Sequence, residues 1–236
     1  SRTNTLKERN TNMNLNKIDE TFTPKVIGDE RIHIIGCGSV GSTLAENLAR
    51  FGLTNFNLWD FDKVESHNIV NQMFTEEDIG RYKTEAVKDM ITKINPEAKD
   101  EIRIRPNGYT DEKLGGYIFL CVDNIELRRK IVKNHWGSPF VKAMFDFRTG
   151  LYDAQHWAAD WQNPKDVDKF YKSMDFTHEE AKMETPQSAC GVSLCVAPTV
   201  RIIVGYGVMN FINMLSGRPL KKLIITNSEK ISLTAM

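Results

Sequence analysis

Neither sign of charge is in excess. Thirty-one Lys and Arg face 31 Asp and Glu over 236 residues, so the formal net charge is zero. Chains that bind nucleic acid through its phosphates usually carry a basic excess, and no nucleic acid is expected as a partner. Cysteine is scarce. Cys37, Cys121, Cys190 and Cys195 are the full set, too few and too scattered for a secreted disulfide scaffold, and a reducing cytoplasm is the expected home. The first twenty residues are polar and charged and lack the apolar core of a secretory signal. Internal repeats and low-complexity tracts are missing as well. Long apolar runs amount to one stretch, 192–215, in which Arg201 is the only charge and which carries Pro198, Gly205, Gly207, Asn210 and Asn213. That reads as a buried helix of an α/β domain rather than a membrane span.

What is present is a globular composition, 41% hydrophobic and 26% charged. The expected organisation is a polar N-terminal arm, 1–30, followed by one domain, 31–236. Short apolar strands are expected at 31–35, 56–60, 101–105, 117–122, 140–145 and 151–158. Helices are expected at 39–51, 83–94, 124–135 and in the long apolar stretch. Residues 163–189 are polar and poor in periodicity beyond one short helix, and read as a mobile crossing segment. Residues 223–233 read as a hairpin around Asn227-Ser228-Glu229. Strands alternating with helices predict an α/β fold: a Rossmann-like, mostly parallel sheet with helices on both faces and a C-terminal antiparallel extension.

Gly36-Cys37-Gly38-Ser39-Val40-Gly41 follows a strand and opens a helix, the context a G-x-G-x-x-G nucleotide turn requires. The glycines permit a tight turn and close backbone approach, and the helix N-terminus offers unpaired N–H groups to a phosphate. Asp60, at the end of the second strand, is placed to accept from ribose hydroxyls. The turn alone does not choose among NAD, FAD and ATP.

Asp60-Phe61-Asp62-Lys63-Val64-Glu65-Ser66-His67-Asn68-Ile69-Val70-Asn71-Gln72 narrows the choice. The segment resembles the D-x-D-x-V-E-x-S-N-x-x-R-Q signature of the ThiF/MoeB/HesA-type superfamily of ubiquitin-activating-enzyme-like adenylyltransferases. Downstream, Ile79-Gly80-Arg81-Tyr82-Lys83 matches its I-G-x-x-K, and Asn95-Pro96 its N-P. Cys121-Val122-Asp123-Asn124 with Arg128 matches its D-N-x-x-x-R. Cys190-Gly191-Val192 before the apolar helix is similar to its C-terminal part. The resemblance covers about 31–220.

The resemblance implies an ATP- and Mg²⁺-dependent enzyme that adenylates the C-terminal carboxylate of a ubiquitin-like or sulfur-carrier protein with a Gly-Gly tail. It also implies a homodimer and no membrane partner. ATP would sit on Gly36, Gly38 and Gly41, with Asp60 on the ribose. Asn68, Gln72 and Asn124 would supply neutral hydrogen bonds, Lys83 the fixed cation, and Asp123 the ligand to Mg²⁺, which takes oxygen donors. Each has a plainer reading: Lys83 as a solvated helix-start lysine, Asp123 and Asn124 as an N-cap pair. Asp62 and Glu65 read as turn and surface residues. Residues 166–187 correspond to the crossover loop, under which a substrate tail passes; the mix of Phe170, Tyr171, Asp175, Phe176, His178, Glu179 and Glu180 suits a cover or a plain surface loop.

Two departures stand out. The arginine before the final Gln of the signature is Asn71 here, which carries no charge to a phosphate. Substitutes are Arg148, in Asp146-Phe147-Arg148-Thr149-Gly150, Arg9 from a second protomer, or Arg81. Arg148 equally suits an ion pair with Asp146. The paired C-x-x-C motifs that hold zinc in many relatives are replaced by Cys190 and Cys195 at C-x₄-C spacing, so no structural zinc is expected. Cys190, beside a helix start, is the candidate thioester or persulfide nucleophile. Cys37, Cys121 and Cys195 read as core. Competing functions are a non-catalytic scaffold subunit of the same family, a dinucleotide-dependent oxidoreductase, and adenylation of a carboxylate on a small molecule, peptide or tRNA-bound group.

Overall fold

The computed structural model describes residues 13–18, 20–177, 180 and 194–236. Its strands are β1 (Ile32–Ile35), β2 (Phe56–Trp59), β3 (Arg103–Arg105), β4 (Gly116–Leu120), β5 (Val141–Thr149), β6 (Asp153–Asp160), β7 (Leu223–Asn227) and β8 (Ser232–Ala235). They form one sheet in the order β3-β2-β1-β4-β5-β6-β7-β8. β1 to β5 pair in parallel, with Ile34 opposite Leu58 on one side and Phe119 on the other. β6, β7 and β8 continue the sheet in antiparallel pairing.

β1 and β2 are buried at every position, as parallel strands covered on both faces should be. One cover is α1 (Ser39–Arg50), α2 (Lys83–Ile94) and α5 (Ala197–Leu215). The other is α3 (Ile125–Asn134) and α4 (Pro164–Lys172). Leu44, Leu48, Val87, Ile91, Val204 and Phe211 meet Ile34, Leu58, Phe119 and Phe145 in the larger core. Ile131, Val132, Val167 and Phe170 meet Ile35, Ile118, Leu120 and Met144 in the second. A fully buried side chain such as Phe211 contributes roughly 1.5–3 kcal/mol by leaving water.

The long apolar stretch resolves as α5, which lies against β5 and β6. A Cβ at Gly207 would stand 2.4 Å from the ring of Phe147, so this close seat requires glycine. Among the described residues no helix is long and apolar enough to cross a membrane. The Thr199 hydroxyl donates to Leu151 O at 2.8 Å, which fixes the start of α5 at the turn between β5 and β6. That is the edge of the sheet where the parallel strands end.

Two segments are better packed than their composition suggests. Phe22 and Ile27, within the expected polar arm, are buried in the larger core. Val167, Phe170 and Met174 share one side of α4 and its last turn and bury against the sheet, so the first part of the crossing segment is anchored rather than loose. Asn163 caps that helix by accepting from Lys165 N at 3.1 Å.

Candidate functional site

The glycine turn leaves β1 at the C-terminal edge of the sheet and enters α1. Gly36 has φ +96°, and a Cβ there would meet Cys121 O at 2.7 Å. A Cβ at Gly41 would lie 1.8 Å from Gly36 O. Both contacts are with backbone, which cannot swing aside. The N-cap residue of α1 is Gly38, and no side chain caps the helix. Among the described residues its first-turn N–H groups therefore have no side-chain acceptor, which is the preorganised state for an anion.

Asp60 follows β2 and shapes this turn. Its two carboxylate oxygens accept from Cys37 N at 2.6 Å and Asp62 N at 2.8 Å. Each oxygen keeps further acceptor capacity for a hydroxyl. Burial raises the Asp60 pKa above its ordinary value, opposed by those two N–H donors and by Lys83. Lys83, the first residue of α2, is buried and sets its Nζ 2.9 Å from Asp62 Oδ2. Lys83 N also donates to Asp62 O at 3.0 Å. Asp60, Asp62 and Lys83 thus form one cluster beside Cys37. Sequence reasoning left Asp62 out; the signal was its spacing, two residues beyond the strand-end aspartate.

Gln72 lies over the turn. Its Oε1 is buried without a partner among the described residues, and it stands 4.0 Å from where a Cβ of Gly38 would be. A buried amide oxygen left unpaired beside a helix N-terminus is an acceptor that calls for a donor from a ligand or from a turn of the side chain. Asn68 is buried too, but its Oδ1 accepts from Glu65 N at 2.9 Å, closing a capping box over Ser66–Asn68. Asn71 Nδ2 donates to Cys195 O at 3.2 Å, tying the end of the signature to the segment that leads into α5.

Asp123 is exposed beyond β4 and has no hydrogen-bond partner among the described residues. Asn124 caps α3, accepting from Leu127 N at 2.8 Å. Arg128 braces this loop from below. Its Nε donates to Val122 O at 2.8 Å, its Nη2 to Val122 O and to Phe147 O, and its Nη1 lies 2.9 Å from Asp146 Oδ1.

Asp146, fully buried, also pairs with Arg148 through Nε at 2.7 Å. The other nitrogens of Arg148 donate to Ser173 O at 2.6 Å and Ser173 Oγ at 2.8 Å. The rings of Trp157 and Phe176 lie 5.6 and 5.3 Å from its guanidinium carbon. The structure therefore places Arg148 in the ion pair with Asp146 and the end of α4. Arg81 is held by Asp78 at 3.1 Å and Asp89 at 2.5 Å.

Cys37, Cys121 and Cys195 are free thiols, and burial raises the pKa of each. Cys37 and Cys121 also lie in the core groups of the glycine turn and β4, which leaves them poor nucleophiles. Arg9, His178, Glu179 and Cys190 lie outside the described residues. Among the described residues no group of three or more His, Cys, Asp and Glu is arranged to hold a metal. A Mg²⁺ held mainly by phosphate oxygens and one carboxylate needs no such cage, and exposed Asp123 has the donor type for it.

Comparison with known proteins places this geometry. Residues 9–234 match the model of the ThiF family. Ubiquitin-like modifier-activating enzyme 5 of Caenorhabditis elegans is 31% identical over 121 residues, covering 44% of this chain and 29% of the relative. The Dictyostelium discoideum enzyme of that name is 32% identical over 114 residues, covering 42% and 30%. The chain thus spans about three tenths of the length of these curated relatives. Escherichia coli MccB, crystallised with ATP, superposes with a TM-score of 0.68 at 17% identity, covering 90% of this chain and 65% of that one. PaaA superposes at 0.65 with 16% identity and the same two coverages. An uncapped, glycine-lined turn, the strand-end cluster beside it and a family match over nearly the whole sequence agree: the chain belongs to the ThiF family.

Proposed function

We propose that this chain is an ATP-dependent adenylyltransferase acting on the C-terminal carboxylate of a ubiquitin-like or sulfur-carrier protein that ends in Gly-Gly. The observation that carries this reading is the turn at Gly36–Gly41, with no side-chain cap at its helix N-terminus among the described residues, under the unpaired Oε1 of Gln72. The MccB structure solved with ATP supports the nucleotide. The modifier-activating relatives support the protein substrate.

In this reading Gly36, Gly38 and Gly41 admit the phosphates to the backbone N–H groups of α1. Asp60 accepts from the ribose. Gln72 donates to the phosphates through its Nε2, and Asn68 and Asn124 hold the loops on either side. Mg²⁺, held by Asp123, would supply charge neutralisation between the nucleotide and the attacking acid. Lys83, kept in place by Asp62, offsets charge as the carboxylate oxygen bonds to the α-phosphorus. The bond to the bridging oxygen breaks, and its electron pair leaves with pyrophosphate. Electrostatic positioning of this kind is the main work of phosphoryl-transfer sites. Cys190 is the proposed acceptor for a later thioester or persulfide step. The exposed Ile202, Tyr206 and Met209 of α5, with Ile231 and Leu233 of the terminal hairpin, border a groove of about 800 Å³. The part of that apolar face away from Arg201, at Tyr206, Met209, Ile231 and Leu233, supports a homodimer.

ATP–pyrophosphate exchange with a Gly-Gly-tailed carrier tests the activity. Exchange that requires Mg²⁺ and is lost in Asp123→Ala is expected. A second reading, a scaffold subunit that binds ATP without turnover, is favoured by one observation: Asn71 spends its amide on Cys195 O rather than on the turn. ATP binding without exchange would select it. NAD binding in place of ATP would restore the oxidoreductase.

A further inference from the structure

Among the described residues the mouth is short of unspent positive charge. Lys83 is paired with Asp62, and Asp60 and Asp123 add carboxylates at the same edge. A nucleoside triphosphate brings several more negative charges to this place. The surrounding cations are mostly committed. Arg128 and Arg148 share Asp146, and Arg81 is held by Asp78 and Asp89. Lys63 rests on the ring of Tyr82, and Arg105 on that of Trp59.

Arg201 differs from all of these. It sits in the second turn of α5 and is exposed. Its only hydrogen bond among the described residues is from Nη2 to the sulfur of Met73, at 3.9 Å. A neutral thioether is a weak acceptor and holds a guanidinium loosely. Met73 is the residue after Gln72, and its N–H donates to Ser42 Oγ at 3.2 Å. Ser42 lies one turn into α1, its N–H bonded to Gly38 O at 2.9 Å, and so about 4.5 Å along the axis from Ser39. α5 begins at the same edge of the sheet as α1. The guanidinium thus rests on the residue that follows Gln72, at the rim of the groove it shares with Asn47 and Tyr206.

Resting on the reading above, we infer that Arg201 is a further substrate-binding residue, recognising the outer phosphates of the nucleoside triphosphate. It would move off the Met73 sulfur to the β- and γ-phosphates, supplying the charge that position 71 lacks. Its departure from the sulfur breaks no ion pair, so little opposes the change.

The test uses the full chain and fluorescent analogues of ATP and AMP with Mg²⁺. Arg201→Met keeps the length of the side chain and removes the charge. It should weaken ATP at least about tenfold, the size of one charge-assisted hydrogen bond. AMP affinity and the melting temperature should stay unchanged, and Arg201→Lys should retain part of the ATP affinity. Equal ATP affinity in wild type and Arg201→Met overturns the assignment of Arg201 and leaves the nucleotide reading standing. Parallel losses for ATP and AMP overturn it as well, because they place the residue away from the outer phosphates. Failure of the unaltered chain to bind either nucleotide overturns both.

Discussion

Gly41→Ala puts the geometry of the turn to a sharp test. The added Cβ would stand 1.8 Å from Gly36 O and 2.9 Å from Gly36 C. Real Cβ atoms essentially never approach within 3.0 Å, so the turn and α1 must part by at least 1.2 Å. Neither partner is a side chain that can rotate. Overpacking of this kind costs about 1–3 kcal/mol, which in a domain of this size lowers the melting temperature by roughly 2–12 °C. The functional cost is larger in proportion. A shift of about 1 Å in a positioned group can lower activity about 100-fold, and here the shifted groups are the phosphate-facing N–H donors. Equilibrium binding of a fluorescent ATP analogue, read beside a thermal melt, separates the two effects. Gly205→Ala is the control. It also lies in a helix, but nothing stands within 4 Å of its new Cβ, and it should stabilise by about 0.5–1 kcal/mol. Wild-type ATP affinity in a folded Gly41→Ala protein would refute the claim that this turn receives the phosphates.

Other perturbations probe the rest of the account. Gly207→Ala drives a Cβ to 2.4 Å from the Phe147 ring and should destabilise the chain by about 1–3 kcal/mol without changing ATP affinity, as thermal melts and binding would show. Arg148→Ala should lower the melting temperature by releasing Asp146 and Ser173, while the ATP–pyrophosphate exchange rate changes little; a tenfold slower exchange at full stability would return Arg148 to the reaction. His33 and His156 are buried, and burial lowers the pKa of each to about 4 from 6.5. The unfolded chain therefore takes up protons first, so their contribution is complete above pH 6.5 and is lost as pH falls toward 4. Each should cost about 2 kcal/mol by pH 5, measurable as a falling urea midpoint. A carrier adduct on a non-reducing gel should be cleaved by thiol and disappear in Cys190→Ala; persistence in that variant would remove Cys190 from the reaction.

The parts of the site written in the local backbone were readable from sequence. Glycines at 36, 38 and 41 between an apolar strand and a periodic helix specify a turn whose reason is steric, and the contacts at Gly36 and Gly41 supply that reason directly. Asp60 was readable because a strand end fixes where its carboxylate sits. The short-range pair of Arg148 with Asp146 was readable as one alternative; the longer-range pairings were not. That Lys83 would be held by Asp62, 21 residues earlier, or Arg148 by Ser173, 25 residues later, depends on how loops fold over the sheet, and no local pattern encodes it. The same holds for Arg201, which read simply as the one charge in an apolar helix. Its place beside Met73 follows from the packing of α5 along α1. Phe22 and Ile27 were hidden by polar neighbours, although the core needed them. α4 was readable as the one short helix of 163–189, but that its apolar side would anchor on the sheet was not.

The central claim is that the mouth at the end of β1 receives a nucleoside triphosphate. A crystal structure of the chain with Mg²⁺ and a non-hydrolysable ATP analogue tests it most directly. The account predicts phosphates against the N–H groups of 38–41, the ribose on Asp60, and Lys83 and Asp123 facing the phosphates. An analogue bound elsewhere, or a mouth that stays empty at saturating analogue with Lys83 and Asp123 turned away, would contradict it.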